Sequence, residues 1–215
     1  MTDRMWPNPE NTQQLLSSAR DGDPDVVNRL FERHREAVAR FVRMRIDPAL
    51  AQRVDASDVV QEVLIDANRR FADYLKDVPM PFHLWLRHIA KDRLIDAHRR
   101  HRLAARRSVD RERSLTAPAY ADQSAIDLAG ILADRNPTPA AQATAAELHR
   151  RFHQLLGEMD DADREVLLMR HVEQLTNREI AQALGLTEPA ASMRYLRAMR
   201  RLKERLAQPL DGDAF

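Results

Sequence analysis

The sequence predicts an all-α protein: two small helical domains joined by a flexible linker. Three observations carry that expectation. Apolar residues recur at three- and four-residue spacing from Val27 to Val42, from Val60 to Phe71, from Phe82 to Ala97 and again from Leu148 onward, which is the period of a helix. No stretch alternates like a strand, and glycine (5 residues) and aromatics (5%) are scarce beside abundant Ala, Leu, Arg and Glu, a composition that favours helix over sheet. Between the two sets lies 114–143, which holds Pro118, Pro137 and Pro139 and has little periodicity, as a tether does.

Each element follows in order. Residues 1–24 form an N-terminal extension without a clear stripe, and the first domain spans 25–107. Val27, Leu30, Phe31, Val38, Phe41 and Val42 define a helix over about 24–46, with His34 on the stripe as a packed residue. In DASDVVQEVLIDANRRF, Val60, Leu64, Ala67 and Phe71 make one stripe, while Asp58, Gln61, Glu62 and Ile65 point elsewhere. A third helix from about Pro81 carries Phe82, Trp85, Leu86, Ile89, Ala90, Leu94 and Ala97 on its apolar side. The linker covers 108–146, with one short helix near Ile126–Ala133. The second domain, 147–206, opens with Leu148, Phe152, Leu155 and Leu156 and continues through MDDADREVLLMRHV.

Composition excludes several functions. Cys is 0, so there is no disulfide framework, thiolate metal site or cysteine nucleophile. No apolar run is long enough to span a membrane, and MTDRMWPNPENTQQ lacks the pattern of a signal peptide; a cytoplasmic protein with no membrane partner is expected. The net charge is only +1, but its distribution is uneven. Arg87, Lys91, Arg93, Arg99, Arg100, Arg102, Arg106 and Arg107 face only Asp92 and Asp96 in one segment. Arg194, Arg197, Arg200, Arg201, Lys203 and Arg205 face Glu204 alone in another. Two basic segments in a near-neutral chain suggest two surfaces for a polyanion.

The first segment also suggests a metal site. His88, Asp92 and Asp96 fall four residues apart on one helix face, with His98 and His101 close behind, and hard or borderline metals accept such ligands. However, His98 is turned away from that face, no second ligand helix is evident, and Asp96 has Arg100 as an i,i+4 partner. A metal-dependent hydrolase is therefore the remote alternative. No metal, cofactor or catalytic residue is expected.

The C-terminal segment encodes two helix starts. Thr176 followed by Glu179 is a capping box, with Leu175 and Ile180 as its hydrophobic staple. Gly185 supplies the turn. Thr187 caps the next helix, with Pro189 in its first turn. Helix, short Gly-containing turn, helix is a helix-turn-helix. Ala191, Tyr195, Ala198 and Leu202 form the inward stripe of its second helix, leaving Ser192, Arg194 and Arg197 outward. That face suits the major groove of DNA, and Thr176 and Asn177 can offer backbone N–H groups to a phosphate.

Both halves together resemble bacterial sigma factors of the sigma-70 family, in the compact extracytoplasmic-function (ECF) group. DASDVVQEVLIDANRRF and PFHLWLRHIAKDRLIDAHRRHR resemble the second conserved region, and DREVLLMRHVEQLTNREIAQALGLTEPAASMRYLRAMRRLKERL resembles the fourth. The resemblance implies a transcription initiation factor, not an enzyme, that binds core RNA polymerase and directs it to promoters. It implies core-polymerase contacts at Asp58, Gln61 and Glu62. His88, Lys91, Asp92, Arg93 and Arg99 match the segment that meets the minus-ten element as duplex and melted non-template strand. Ser192, Met193, Arg194, Leu196 and Arg197 match the helix that reads the minus-thirty-five element, with Thr176 and Asn177 beside it. Many relatives carry Asn near Asp92, Lys at Ser192 and Ser at Met193, so their base preferences do not transfer. Such factors are often held by an anti-sigma factor, although no residue names one here. A stand-alone helix-turn-helix regulator is the alternative, but it accounts for the second domain only.

Overall fold

The structure, a computed structural model, describes residues 4–20, 23–46, 53–107 and 155–207, with the backbone alone at 101–107 and at 207. The expected short helix at Ile126–Ala133, the linker as a whole, Leu148 and Phe152, and the side chains of His101, Arg102, Arg106 and Arg107 lie outside the described residues. All regular structure among the described residues is helical. The chain divides into two compact units, Met1–Ala119 and Tyr120–Phe215.

The first unit contains α1 (Pro9–Ala19), α2 (Pro24–Arg45), α3 (Ala56–Lys76) and α4 (Phe82–Arg107). The first three start on side-chain caps. Asn8, Asp23 and Asp55 accept the N–H of Glu10, Asp25 and Ser57 at 2.8, 2.9 and 2.8 Å, satisfying donors that a helix start leaves orphaned. Pro9 and Pro24 stand in the first turn, where no N–H is missed.

Five of the chain's eleven aromatic residues meet where α2, α3 and α4 converge. Phe31 lies 5.4 Å from Phe71 and 5.9 Å from Phe82, and Tyr74 lies 4.6 Å from Trp85, centroid to centroid. These are the offset and edge-on separations that aromatic quadrupoles favour. Tyr74 donates its hydroxyl to Met80 O at 3.0 Å, and burial pushes its pKa up to about 12. Leu30, Val38, Phe41, Val42, Val63, Leu86, Ile89 and Ala90 complete the core.

The N-terminal stretch belongs to this core. Met5 and Trp6 are buried, and Trp6 lies 6.5 Å from Phe41 and 6.0 Å from His83. α1 packs on α2 through Thr12, Leu16 and Ala19, with Thr12 Oγ1 3.4 Å from His34 Nε2. His34 is fully buried. Its Nδ1 lies 2.9 Å from Leu30 O, and Phe82 approaches its ring edge-on at 5.0 Å.

The second unit contains a helical turn at 155–158, α5 (Asp161–His171), α6 (Asn177–Leu184) and α7 (Glu188–Ala207). Asp160 caps α5. The capping box is present: Thr176 Oγ1 accepts from Glu179 N at 3.2 Å, and the Glu179 carboxylate accepts from Thr176 N at 2.8 Å. Leu175 and Ile180 are both buried, as a staple requires. Gly185 closes α6 at φ 63°, in the left-handed region that favours glycine. Ala191, Ala198 and Leu202 of α7 pack inward. Tyr195 is only half-buried and is held by His171, whose Nε2 lies 3.0 Å from its hydroxyl. Burial lowers the His171 pKa, and Arg170 lowers it further.

Burial lowers the His34 pKa to about 4, with His83 and Arg33 adding to the shift against the Leu30 carbonyl. The folded value lies below the unfolded one, so the unfolded chain takes the proton first. Stability is therefore complete above pH ~6.5 and falls as pH drops towards 4, by about 3 kcal/mol in total. Trp6 and Trp85 both lie in the first unit, so tryptophan fluorescence follows this unit alone. Urea unfolding at pH 7.0 and pH 4.5 should show a much larger loss in the wild type than in His34→Gln. Equal losses would remove His34 as the cause.

Candidate nucleic-acid interface

Three helices present the faces that matter. On α3, Asp58 and Gln61 are exposed and Glu62 is half-buried, beside an exposed Ile65. Glu62 has a partner within the unit: Arg100 of α4 forks onto its carboxylate, Nη2 to Oε2 at 2.8 Å and Nη1 to Oε1 at 3.3 Å. That pairing raises the Arg100 pKa, the hydrogen bond to Glu62 being the largest cause. The expected i,i+4 pairing of Asp96 with Arg100 is thus corrected. A bidentate carboxylate on the neighbouring helix outcompetes a single contact along the same helix.

Asp66, which the sequence did not single out, lies one turn further along α3. It is buried, and it accepts from Arg93 Nη2 at 2.6 Å and Nε at 3.1 Å, and from Arg70 Nη2 at 2.9 Å. The hydrogen bond to Asp66 is the largest cause of the raised Arg93 pKa. A charged residue among Val59, Val63 and Ala67 was the available signal, because such a position needs a partner. Arg93, expected beside DNA, has its guanidinium engaged inside the unit.

On α4, His88, Lys91 and Arg99 are exposed and Asp92 is half-buried. His88 Nε2 lies 3.7 Å from Asp92, so the neighbour of Asp92 is a histidine and not an arginine. Asp96 approaches Arg93 at 3.8 Å. Among the described residues no three His, Cys, Asp or Glu side chains gather as metal ligands would. The basic segment is thinner outside than its sequence suggests. Arg87 is buried with its guanidinium 5.3 Å above the Phe41 ring, and Arg93 and Arg100 are ion-paired. Trp85 is half-buried and packs against Tyr74 and Phe82.

In the second unit, Met193 and Leu196 of α7 are 55% and 56% exposed, large apolar side chains that alternate with the half-buried Arg194 and the exposed Arg197. Arg201 instead reaches the buried Asp163 of α5 at 2.5 Å. At the N-terminus of α6, the expected capping box engages both the N–H and the hydroxyl of Thr176 with Glu179. Asn177 Nδ2 donates to Ser192 Oγ at 3.0 Å, joining two residues from separate helices.

Comparison with known proteins matches this division. The model of sigma-70 region 2 matches residues 30–104, and the model of sigma-70 region 4 matches residues 149–202. The chain belongs to the sigma-70 family. It is similar to the RNA polymerase sigma factor CnrH of Cupriavidus metallidurans, 29% identical over 96% of this chain and 98% of that protein. It is 28% identical to the ECF RNA polymerase sigma factor SigD of Mycobacterium tuberculosis, over 92% of this chain and 84% of that one. The solved structure of CnrH in complex with the cytosolic domain of CnrY shares the fold, with a TM-score of 0.56 and 24% identity over 91% of this chain and 96% of the other. This is an ECF sigma factor: it binds core RNA polymerase and directs it to promoter DNA.

The Asp66 bridge makes a stability prediction. Asp66→Ala strands Arg93 and Arg70 beside apolar surface, at a cost of about 2 kcal/mol to the first unit, below the usual range for a fully buried pair because both arginines are partly wet. Urea unfolding followed by tryptophan fluorescence measures it. A loss under ~0.5 kcal/mol would show the bridge to be ornamental.

Proposed function

We propose that this sigma factor divides its work between two binding units, neither of them catalytic, and acts in the cytoplasm. Asp58, Gln61 and Glu62 on α3 contact core polymerase. His88, Lys91, Asp92 and Arg99 on α4 meet the minus-ten element, while Arg93 holds α4 against α3. Ser192, Met193, Arg194, Leu196 and Arg197 on α7 read the minus-thirty-five element. No helix among the described residues is long and apolar enough to cross a membrane.

The observation that carries the reading is the outer face of α7. Two arginines interleave with two large apolar side chains that have no partner in the unit's core. Arginine pairs with guanine or phosphate, and an apolar side chain meets the thymine methyl, so one helix face supplies both kinds of major-groove contact. The similar sigma factor CnrH is seen in complex with the cytosolic domain of CnrY. A comparable regulator covering these units is the further partner proposed here.

The full chain added to core RNA polymerase should support transcription from a subset of promoters and should not open duplex DNA alone. Absence of both core binding and promoter-directed transcription on every genomic template would remove the assignment of these units. Within the first unit, Asp92→Asn should alter base preference at the minus-ten element by roughly 3- to 10-fold, because an amide adds a donor where the carboxylate only accepts. Promoter-library transcription reads the preference, and titration of labelled sigma factor with core reads affinity. A parallel loss of core affinity would contradict its place on the DNA side.

A further inference from the structure

The hydrogen bond between Asn177 and Ser192 carries more than packing. Asn177 is the first residue of α6, and Ser192 lies in the second turn of α7, between the buried Ala191 and the exposed Met193. The amide Nδ2 of Asn177 donates to Ser192 Oγ at 3.0 Å. A hydroxyl has one proton and two lone pairs. An amide N–H that points at the oxygen occupies one lone pair and turns the proton away. Ser192 makes no hydrogen bond besides this one among the described residues. In particular, it does not donate back to the carbonyl four residues earlier, a common resting place for a helical serine. Ser192, on the side of α7 that also carries Met193 and Leu196, therefore keeps its hydroxyl proton unspent among the described residues.

We propose that Asn177 is a positioning residue that sets the polarity of Ser192, so that Ser192 acts as a hydrogen-bond donor and selects an acceptor edge at one base pair of the minus-thirty-five element. Guanine N7 and O6, adenine N7 and thymine O4 are such edges; the cytosine amino group is not. This polarity rests on the proposed placement of α7 in the major groove. Asn177 thereby acts on base choice without touching a base, and it links the N-terminus of α6 to the reading helix. An aspartate at 177 would reverse the arrangement. Ionised, it only accepts, so it would draw the Ser192 proton inward and present lone pairs to the DNA. Aspartate is also favourable in the first turn of a helix, so this substitution keeps the fold.

The test uses holoenzyme reconstituted from the full chain and core polymerase, with a promoter library randomised across the minus-thirty-five element. The wild type should enrich an acceptor edge at one base pair, and Ser192→Ala should flatten that pair alone, by roughly 3- to 10-fold. Asn177→Asp should invert the same pair towards an amino edge. The double variant Asn177→Asp/Ser192→Ala should match Ser192→Ala, since Asn177 works only through the hydroxyl. An unchanged preference in Asn177→Asp, or the same change in the Ser192→Ala background, overturns the proposal. So does a Ser192→Ala profile identical to the wild type while Arg194→Ala and Arg197→Ala shift theirs; in that case α7 still reads DNA. If none of the variants alters preference at the minus-thirty-five element, the placement of α7 itself fails. Circular-dichroism melts of each variant separate these shifts from loss of fold.

Discussion

The first unit is organised around one buried carboxylate. Asp66 sits on the core side of α3 and gathers Arg93 from α4 and Arg70 from its own helix. A carboxylate in that position is costly without compensation, so the two helices are held in the one register that brings Arg93 opposite Asp66. One turn earlier, Glu62 and Arg100 repeat the pairing nearer to solvent. The consequence is functional as well as structural. The proposed polymerase face on α3 and the proposed DNA face on α4 are bolted together, and neither helix can roll without breaking both bridges. Arg93, read from sequence as a DNA contact, thus fastens α4 to α3.

The second unit uses the same logic with different chemistry. Its proposed reading helix, α7, is held by Asp163 through Arg201 and by His171 through Tyr195, both from α5, and by Asn177 from α6. The apolar contacts of Ala191, Ala198 and Leu202 supply burial, but small side chains on a smooth stripe specify rotation weakly. Directional polar contacts add what the apolar stripe lacks. A helix that reads base edges needs its side chains aimed closely, because hydrogen bonds weaken steeply with misalignment.

Much of this was legible in the sequence. The capping box at Thr176 and the glycine turn at Gly185 are local signals with short-range causes, and they stand where expected; the stripes of α2, α3 and α4 do so in the main, but Val27, Leu64 and Trp85 are only half-buried, and Val26, Val59, Val63 and Leu84 are buried instead. The misses share a cause. α1 was invisible because its anchors are Thr12, Leu16 and Ala19, with only one large apolar residue, and because Trp6 precedes the helix and packs on Phe41. The Asp66–Arg93 and Glu62–Arg100 bridges join residues 27 and 38 positions apart, and spacing rules reach only one turn. Arg87 counted as surface charge in a linear inventory, yet its stem and guanidinium lie against Phe41, as long cationic side chains can.

Internal neutralisation also bears on how the factor must work. Of the first basic segment, Lys91 and Arg99 remain outward without an ion-pair partner among the described residues; of the second, Arg194, Arg197, Arg200 and Lys203 do. Affinity for duplex DNA grows with the number of phosphates neutralised and falls steeply with salt. A chain of net charge +1 that pairs Arg93, Arg100 and Arg201 with its own carboxylates leaves fewer cations for phosphates than its basic segments suggest. Two weak contacts become strong when both are fixed on one rigid body, because the second binding event is then intramolecular. Core polymerase is that body. Each arginine held in an internal bridge is one cation fewer for random DNA, which fits a factor that engages promoters together with polymerase.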